Sequence, residues 1–126
     1  MTTITDRVAA GAAFLDEHDP EWWRADVDRA IDLETLNLVL ASECVLGQRC
    51  PVETLAGHIG IDPADLEGLD FAQAYFANAE RLAGGFDDRI ELAAWARSHG
   101  FNAESNAEFP DLTAEWKRVI TDRRSA

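Results

Sequence analysis

The stretch Asp111-Leu-Thr-Ala-Glu-Trp-Lys-Arg-Val-Ile120 carries the pattern that decides the fold. Its apolar residues are spaced i, i+4, i+7 and i+8, which places them on one face of an α-helix. Asp111 can cap the first turn of this helix. Because such a helix buries only one face, other elements must pack against it. The apolar stripe consists of Leu112, Trp116, Val119 and Ile120.

The amino-terminal residues predict a second amphipathic helix, from Ile4 to about His18. Thr3 can cap it, with Asp6 at the third position of a capping box. Its apolar stripe consists of Ile4, Val8, Ala12 and Leu15.

Short intervals between Pro, Gly and Asp predict several further short helices. The predicted caps are Asp19 (followed by Pro20), Asp70 and Asp87, and the predicted endings are Gly84-Gly85 and Gly100-Phe101. The helix after Asp87 is expected to hold Ile90, Ala93 and Ala94 on one face, widened by Leu92, Trp95 and Ala96. The helix after Asp70 is expected to run to about Ala83.

Residues Ile31–Leu40 alternate apolar and polar side chains for several positions, which is typical of a strand. Asp32 can instead cap a helix that carries Leu33, Leu36 and Leu40. We expect the helix, because no other stretch offers a strand to pair with it. Cys44 is expected at a helix end, facing the core.

Residues Leu55–Leu69 have the spacing of a helix-turn-helix unit, with Gly60 at the turn. A DNA-reading helix carries basic or amide side chains, whereas this one carries Asp65 and Glu67. No Lys or Arg lies between residues 50 and 80, so we expect a packing unit without DNA readout. The predicted fold is all-α: one compact domain over residues 1–126, with five to seven short helices that include this pair.

The charge of the chain excludes several classes of function. Its 126 residues include 24 Asp and Glu against 11 Lys and Arg, a net charge of −13. This argues against general binding to nucleic acid or to anionic membranes. Eight acids and two arginines lie between Asp16 and Glu34, whereas the tail is basic. These charges either cover solvated faces and complement helix dipoles, or form an acidic surface for a basic partner.

The sequence lacks the motifs of common catalytic sites. It has no Gly-rich phosphate loop, no Gly-x-Ser-x-Gly and no His-Glu-x-x-His. The spacing of Cys44 and Cys50 is wider than is usual for zinc ligands, and the three histidines are scattered. Glu43 raises the pKa of the neighbouring Cys44 thiol, whereas a nucleophile needs a cationic setting. We expect no cofactor, no metal and no enzyme activity.

The tryptophans are expected mainly in the core. Trp95 and Trp116 fit helical core stripes. Trp22 and Trp23 are adjacent, so one is expected to pack inside while the other shields it. This pair is also the best aromatic candidate for contact with a partner, because Trp is frequent at binding hot spots.

The sequence predicts a cytoplasmic protein. No apolar run approaches the roughly 18 residues needed to cross a bilayer. The residues after Met1 lack the pattern of a signal peptide. Two cysteines in such a setting are expected to be reduced thiols.

A set of short strings runs along the chain: Asp16-Glu17, Trp22-Trp23, Ile31-Asp-Leu33 followed by Leu36, Cys44-Val-Leu-Gly-Gln48, Ile59-Gly-Ile61, Gly100-Phe-Asn-Ala103, Leu112-Thr-Ala-Glu-Trp116 and Arg123-Arg124. Together they resemble a family of small proteins encoded by actinobacteriophages and their prophages. The resemblance touches most of the chain and is sharpest at Leu46-Gly-Gln48. It implies a phage setting, where small accessory proteins often bind and redirect a bacterial protein. It carries over no catalytic or binding residue.

We therefore expect a non-enzymatic accessory protein that binds a bacterial host protein with a basic surface, in the host cytoplasm. One form of this function is DNA mimicry by the acidic surface. Three alternatives stay open: a helix-turn-helix-derived transcriptional regulator or adaptor, a virion assembly or structural component, and, least favoured, a zinc or thiol enzyme. The predicted contact residues are Asp16, Glu17, Glu21, Trp22, Asp26, Asp28, Asp62, Asp65, Glu67 and Asp70.

Overall fold

The computed structural model describes residues 3–39, 43–49, 79 and 82–126. Within them lie four α-helices, a 3₁₀ turn and no β-strand, in agreement with the predicted all-α class. The helices are α1 (Ile4–His18), α2 (Val45–Arg49), α3 (Arg89–Ser98) and α4 (Phe109–Ser125), and the 3₁₀ turn is Asn106–Glu108. The helix-turn-helix stretch 55–69 and most of the helix predicted after Asp70 lie outside the described residues.

The two helices with the clearest apolar stripes form as predicted. In α1, Thr3 Oγ1 accepts the Asp6 N–H at 3.0 Å and the Asp6 carboxylate accepts the Thr3 N–H at 3.4 Å, which completes the capping box. α4 begins two residues before Asp111, with Pro110 in its first turn, where a missing N–H costs nothing. Asp111 therefore complements the helix dipole instead of capping. The buried stripe residues are Val8, Ala12 and Leu15 in α1 and Leu112, Trp116 and Ile120 in α4.

Helices α1 and α4 pack together and run in the same direction. Near their amino ends Arg7 donates to Glu108 at 2.9 Å, and near their carboxyl ends Arg123 donates to Asp16 at 3.0 Å. The Arg7 side chain is only 2% exposed. A buried charge that lost its partner would be strongly unfavourable, so this pair fixes the start of α1 against the turn before α4.

The Trp116 indole occupies the centre of the core. Its Nε1 donates to the Gly100 carbonyl oxygen at 2.6 Å in a buried hydrogen bond. The Phe101 ring stacks on it with centroids 5.4 Å apart, and Trp22 approaches edge-on at 5.6 Å. One side chain therefore joins α4 to the end of α3 and to the residues that follow α1.

Two glycines allow this close approach. A Cβ on Gly11 in α1 would lie 2.0 Å from the carbonyl oxygen of His99. Gly100 has a φ of +70°, and a Cβ there would lie 2.9 Å from the backbone of Val8. Both contacts bring the turn after α3 directly onto the backbone of α1, which a larger residue would prevent.

The boundaries of α3 follow the predicted pattern with one shift. Asp88, one residue after the predicted Asp87, caps the helix and accepts the Glu91 N–H at 2.7 Å. At the other end the Phe101 N–H donates to the Ala96 carbonyl at 2.9 Å, so the ending predicted at Gly100-Phe101 is confirmed. Gly84 and Gly85 have φ values of +88° and +103° directly after helical residues 82–83, as predicted.

The buried face of α3 differs from the predicted one. Ile90 is 79% exposed, whereas Leu92 and Ala96 are buried. Trp95 packs against the core from the same side as these two residues. Turning this side inward buries a leucine and most of an indole, which removes more apolar area from water than Ile90 with Ala93 and Ala94 could.

Residues 19–39 form turns where two helices were predicted. Residues 20–23 make a turn, and the side chain of Asp19 bonds to Arg49 instead of capping a helix. Residues 33–35 make a single turn, in which Asp32 Oδ1 accepts the Glu34 N–H at 2.9 Å. Both helix predictions are wrong over the described residues, because contacts from α2 and α4 fix this part of the chain.

Gly11→Ala tests the packing of α1 on the turn after α3. Helix propensity alone would add about 1 kcal/mol to the free energy of unfolding. We expect a loss of about 1–3 kcal/mol instead, because the new Cβ overlaps the His99 carbonyl oxygen. Urea unfolding measures the difference, with Ala13→Gly at an exposed position of α1 as the control for propensity. A more stable Gly11→Ala protein would contradict this packing.

Candidate functional site

The acidic segment, residues 16–34, includes the last turn of α1 and the turns that follow it. Beyond His18 this segment contains no regular helix. Side chains of α2 and α4 satisfy part of its backbone and neutralise two of its carboxylates. The segment is therefore held by long-range contacts where local secondary structure is missing.

Arg49, at the end of α2, makes the most extensive of these contacts. Its Nε and Nη2 donate to the two oxygens of the Asp19 carboxylate, each at 2.8 Å. Its Nη1 donates to the carbonyl oxygens of Asp28 at 3.2 Å and Arg29 at 3.1 Å. Arg29 has a φ of +59°, so Arg49 holds the chain at its most unusual backbone conformation. The planar guanidinium suits this fourfold bonding.

Arg124 and Gln48 hold the second half of the segment. Arg124 donates to the carbonyl oxygens of Trp23 at 2.8 Å and Ile31 at 2.7 Å. The Gln48 side chain accepts the Asp32 N–H at 2.6 Å and donates to the Asp32 carbonyl at 3.2 Å. From the sequence, Arg124 was expected only to cover a solvated face or to complement a helix dipole, and Gln48 had no expected structural role beyond its place in the Leu46-Gly-Gln48 string.

The predicted contact residue Asp16 is engaged within the protein. Its carboxylate accepts both Nη1 and Nη2 of Arg123 and also the indole Nε1 of Trp22, the latter at 3.0 Å. The Arg123 hydrogen bonds, assisted by the one from Trp22, lower the pKa of Asp16 below its usual value. The Arg123 guanidinium lies 5.1 Å from the centre of the Trp22 ring, a cation–π distance.

Trp22 lies in the core, with 0% of its surface exposed. It was predicted as a partner contact, and the structure corrects this: its ring packs on Trp116 and its N–H is bound to Asp16. Trp23 is partly buried and packs against the outside of the core. The prediction that one ring packs inside while its neighbour shields it is confirmed.

The other predicted contact residues of the acidic segment lie at the surface. Glu17, Glu21, Asp26 and Asp28 are exposed. Asp26 pairs with the exposed Arg24 at 3.0 Å, and such exposed pairs contribute little to stability. Among the ion pairs of the described residues, none involves Glu17, Glu21 or Asp28. The predicted contacts Asp62, Asp65, Glu67 and Asp70 lie outside the described residues.

The basic tail is largely neutralised by contacts within the chain. Arg118 pairs with Glu115 at 2.6 Å and with Asp122 at 2.9 Å, both along α4. Arg123 and Arg124 hold the acidic segment, as described above. Lys117 makes no ion pair with any described residue and lines a surface cleft.

This cleft, here called the α4 cleft, lies between residues 34–39 with Glu43 on one side and the start of α4 on the other. Its volume is about 690 Å³. The Leu38 N–H donates to Thr113 Oγ1 at 3.1 Å across it, which ties its two walls together. The lining residues are Glu34, Thr35, Leu36, Asn37, Val39, Glu43, Asn106, Phe109, Pro110, Thr113 and Lys117.

Cys44 is buried directly before α2, at a helix start and not at the predicted helix end. Its Sγ accepts the Gly47 N–H at 3.4 Å. Burial raises the pKa of the thiol to about 12. A thiol in this setting stays protonated at neutral pH and serves as a small core residue. Within the described ranges, no three His, Cys, Asp or Glu side chains are grouped so as to hold a metal ion.

The chain was compared with known proteins in three ways. No family model, no curated protein and no solved structure matches it. None of the helices in the described part of the chain has the length and apolar character required to cross a bilayer.

Replacing Arg49 tests whether this side chain holds the acidic segment. Arg49→Lys keeps the charge but cannot bond to Asp19 and to two carbonyls in one plane. We expect a loss of about 1–3 kcal/mol in the free energy of unfolding and faster amide exchange at Ala30 and Leu36. Arg118→Lys, at an exposed pair on α4, is the matched control and should cost under about 0.5 kcal/mol. Equal losses in the two variants would refute the role of Arg49.

The raised pKa of the Cys44 thiol predicts that the protein loses stability at alkaline pH. The pKa of this thiol is raised in the folded protein to about 12. Its contribution to the free energy of unfolding is therefore complete below the ordinary thiol pKa and is lost as the pH rises toward the raised value. The slope from this group alone reaches at most about 1.4 kcal/mol per pH unit. Urea unfolding at pH 8 and pH 10.5 should show a smaller decrease for Cys44→Ala than for the wild type. Parallel pH dependences would contradict the burial of this thiol.

Proposed function

We propose that this chain is a non-enzymatic binding protein that presents the exposed carboxylates of the acidic segment to a basic surface on a bacterial protein. One observation carries the proposal. Arg49, Arg123 and Arg124 are turned inward to carbonyls and to two carboxylates, while Glu17 and Glu21 stay exposed without an ion pair among the described residues. The phage setting implied by the sequence resemblance is consistent with such an accessory role.

The way in which the segment is held favours binding. An irregular segment normally loses conformational entropy when it binds, which weakens the complex. Here the arginine and glutamine contacts have already ordered the backbone between Asp19 and Asp32. Like charges on an ordered surface attract a basic partner at long range and speed the encounter.

Affinity capture from a bacterial lysate tests the proposal when wild type and charge variants are compared side by side. We expect a protein retained at about 50 mM salt to be released at about 500 mM, because salt screens the attraction. Glu17→Lys combined with Glu21→Lys should abolish its capture. Asp87→Lys combined with Glu91→Lys makes the same change in net charge at the start of α3 and should leave capture largely intact.

Two results would refute the proposal. One is a partner whose capture is independent of salt and survives the reversal of Glu17 and Glu21. The other is equal loss in both double variants, which would show that net charge and not this surface is responsible. Circular dichroism of each variant confirms that the helical content is unchanged.

A further inference from the structure

The α4 cleft has an unusual distribution of hydrogen-bonding groups. Along one wall, the N–H groups of residues 34 and 36–39 all donate within the protein. In contrast, no carbonyl oxygen of residues 34–39 accepts a hydrogen bond from any residue that the structure describes. Leu36 and Asn37 line the cleft outside the two turns of this wall, and their carbonyls have no donor among the described residues.

Carboxylates add to these acceptors. Glu34 and Glu43 both line the cleft, and neither forms an ion pair within the described part of the chain. Among the described residues that line the cleft, Lys117 supplies the only positive charge. The charge and the acceptors of this wall thus favour an occupant with N–H donors and positive charge.

The cleft also has apolar surface. Val39 is 58% exposed, although it lines the cleft beside the buried Leu36. Phe109 packs partly against the core and contributes the rest of its ring to the opposite wall, next to Pro110. An occupant that covered Val39 would remove this apolar area from water.

We propose that the α4 cleft binds an extended basic segment of a partner protein. The segment's backbone N–H groups pair with the carbonyls of Leu36 and Asn37, an arginine or lysine side chain lies at Glu34 and Glu43, and an alternate apolar side chain covers Val39. Side chains alternate along an extended chain, so basic and apolar groups reach different parts of the cleft. This inference rests on the proposed function and places part of the contact with the partner in the α4 cleft.

A peptide titration tests it without knowledge of the partner. The probe is a fluorescein-labelled peptide of alternating arginine and leucine, and a version with glutamate in place of arginine is the negative control. We expect fluorescence anisotropy to show binding of the basic peptide only. Glu34→Gln combined with Glu43→Gln should weaken it about tenfold. Asp87→Asn combined with Glu91→Gln removes the same charge at the start of α3, outside both the cleft and the acidic segment, and should change binding less than about twofold.

Val39→Ser separates the apolar part of recognition from the charged part. It should weaken the arginine–leucine peptide several-fold and leave a peptide of alternating arginine and glycine unchanged. Because Val39 is mostly exposed, we expect this variant to fold normally, which thermal unfolding confirms.

Several outcomes would overturn the assignment. The basic peptide fails to bind, or the two substitutions at the start of α3 weaken binding as much as the two in the cleft, or Val39→Ser has no effect on either peptide. A dimer in sedimentation that Glu34→Gln with Glu43→Gln dissociates would assign the cleft to a second copy of this chain instead. If the peptide binds at the cleft but the lysate yields no salt-sensitive partner, the cleft assignment is supported and the proposed function is refuted. If a salt-sensitive partner is captured but the peptide does not bind at the cleft, the proposed function is supported and the cleft assignment is refuted.

Discussion

The hydrogen bond from the Trp116 indole to the Gly100 carbonyl is the interaction on which the rest of the described structure depends. This bond lies beside the point where the turn after α3 packs against Gly11 of α1. A residue larger than glycine at position 11 would overlap the His99 carbonyl oxygen. The same indole receives the edge of Trp22, which in turn donates to Asp16. The buried indole N–H of Trp116 and the Gly100 carbonyl satisfy each other only in this arrangement. Because Trp22 packs on the same indole and binds Asp16, the position of the acidic segment depends on this contact in the core.

The acidic segment shows how arginine can substitute for secondary structure. In helices and strands, backbone carbonyls accept hydrogen bonds from backbone N–H groups. In the acidic segment, several carbonyls instead accept hydrogen bonds from guanidinium and amide side chains of α2 and α4. This use of arginine has an electrostatic result. Arg49 and Arg123 neutralise Asp19 and Asp16, so the remaining negative charge lies on exposed carboxylates such as Glu17 and Glu21, which have no ion pair among the described residues.

Local sequence signals predicted the parts of the fold that local interactions determine. The bounds of α1, the stripe of α4 and the ending at Gly100 follow from caps, periodicity and glycine conformation. The two helices expected between Asp19 and Leu40 did not form within the described residues, because Arg49 and Arg124 bind there from about 20 to 100 residues away. The exposure of Glu17 and Glu21 could be predicted from charge. Which of Trp22 and Trp23 is fully buried could not be predicted, and neither could the α4 cleft, since both depend on how separate elements meet.

The contacts that join α4 to the acidic segment link residues very distant in sequence. Arg123 and Asp16 are 107 positions apart, and Arg124 lies 101 positions from Trp23 and 93 from Ile31. Closing such long loops is slow, and contacts of this kind form late in folding. During synthesis, α1 can form as soon as it leaves the ribosome, but the turns after it must wait for the last turn of α4. Until then the nascent chain exposes Trp22 and the unbonded carbonyls around it, and this interval is when the protein is most open to proteases and to aggregation.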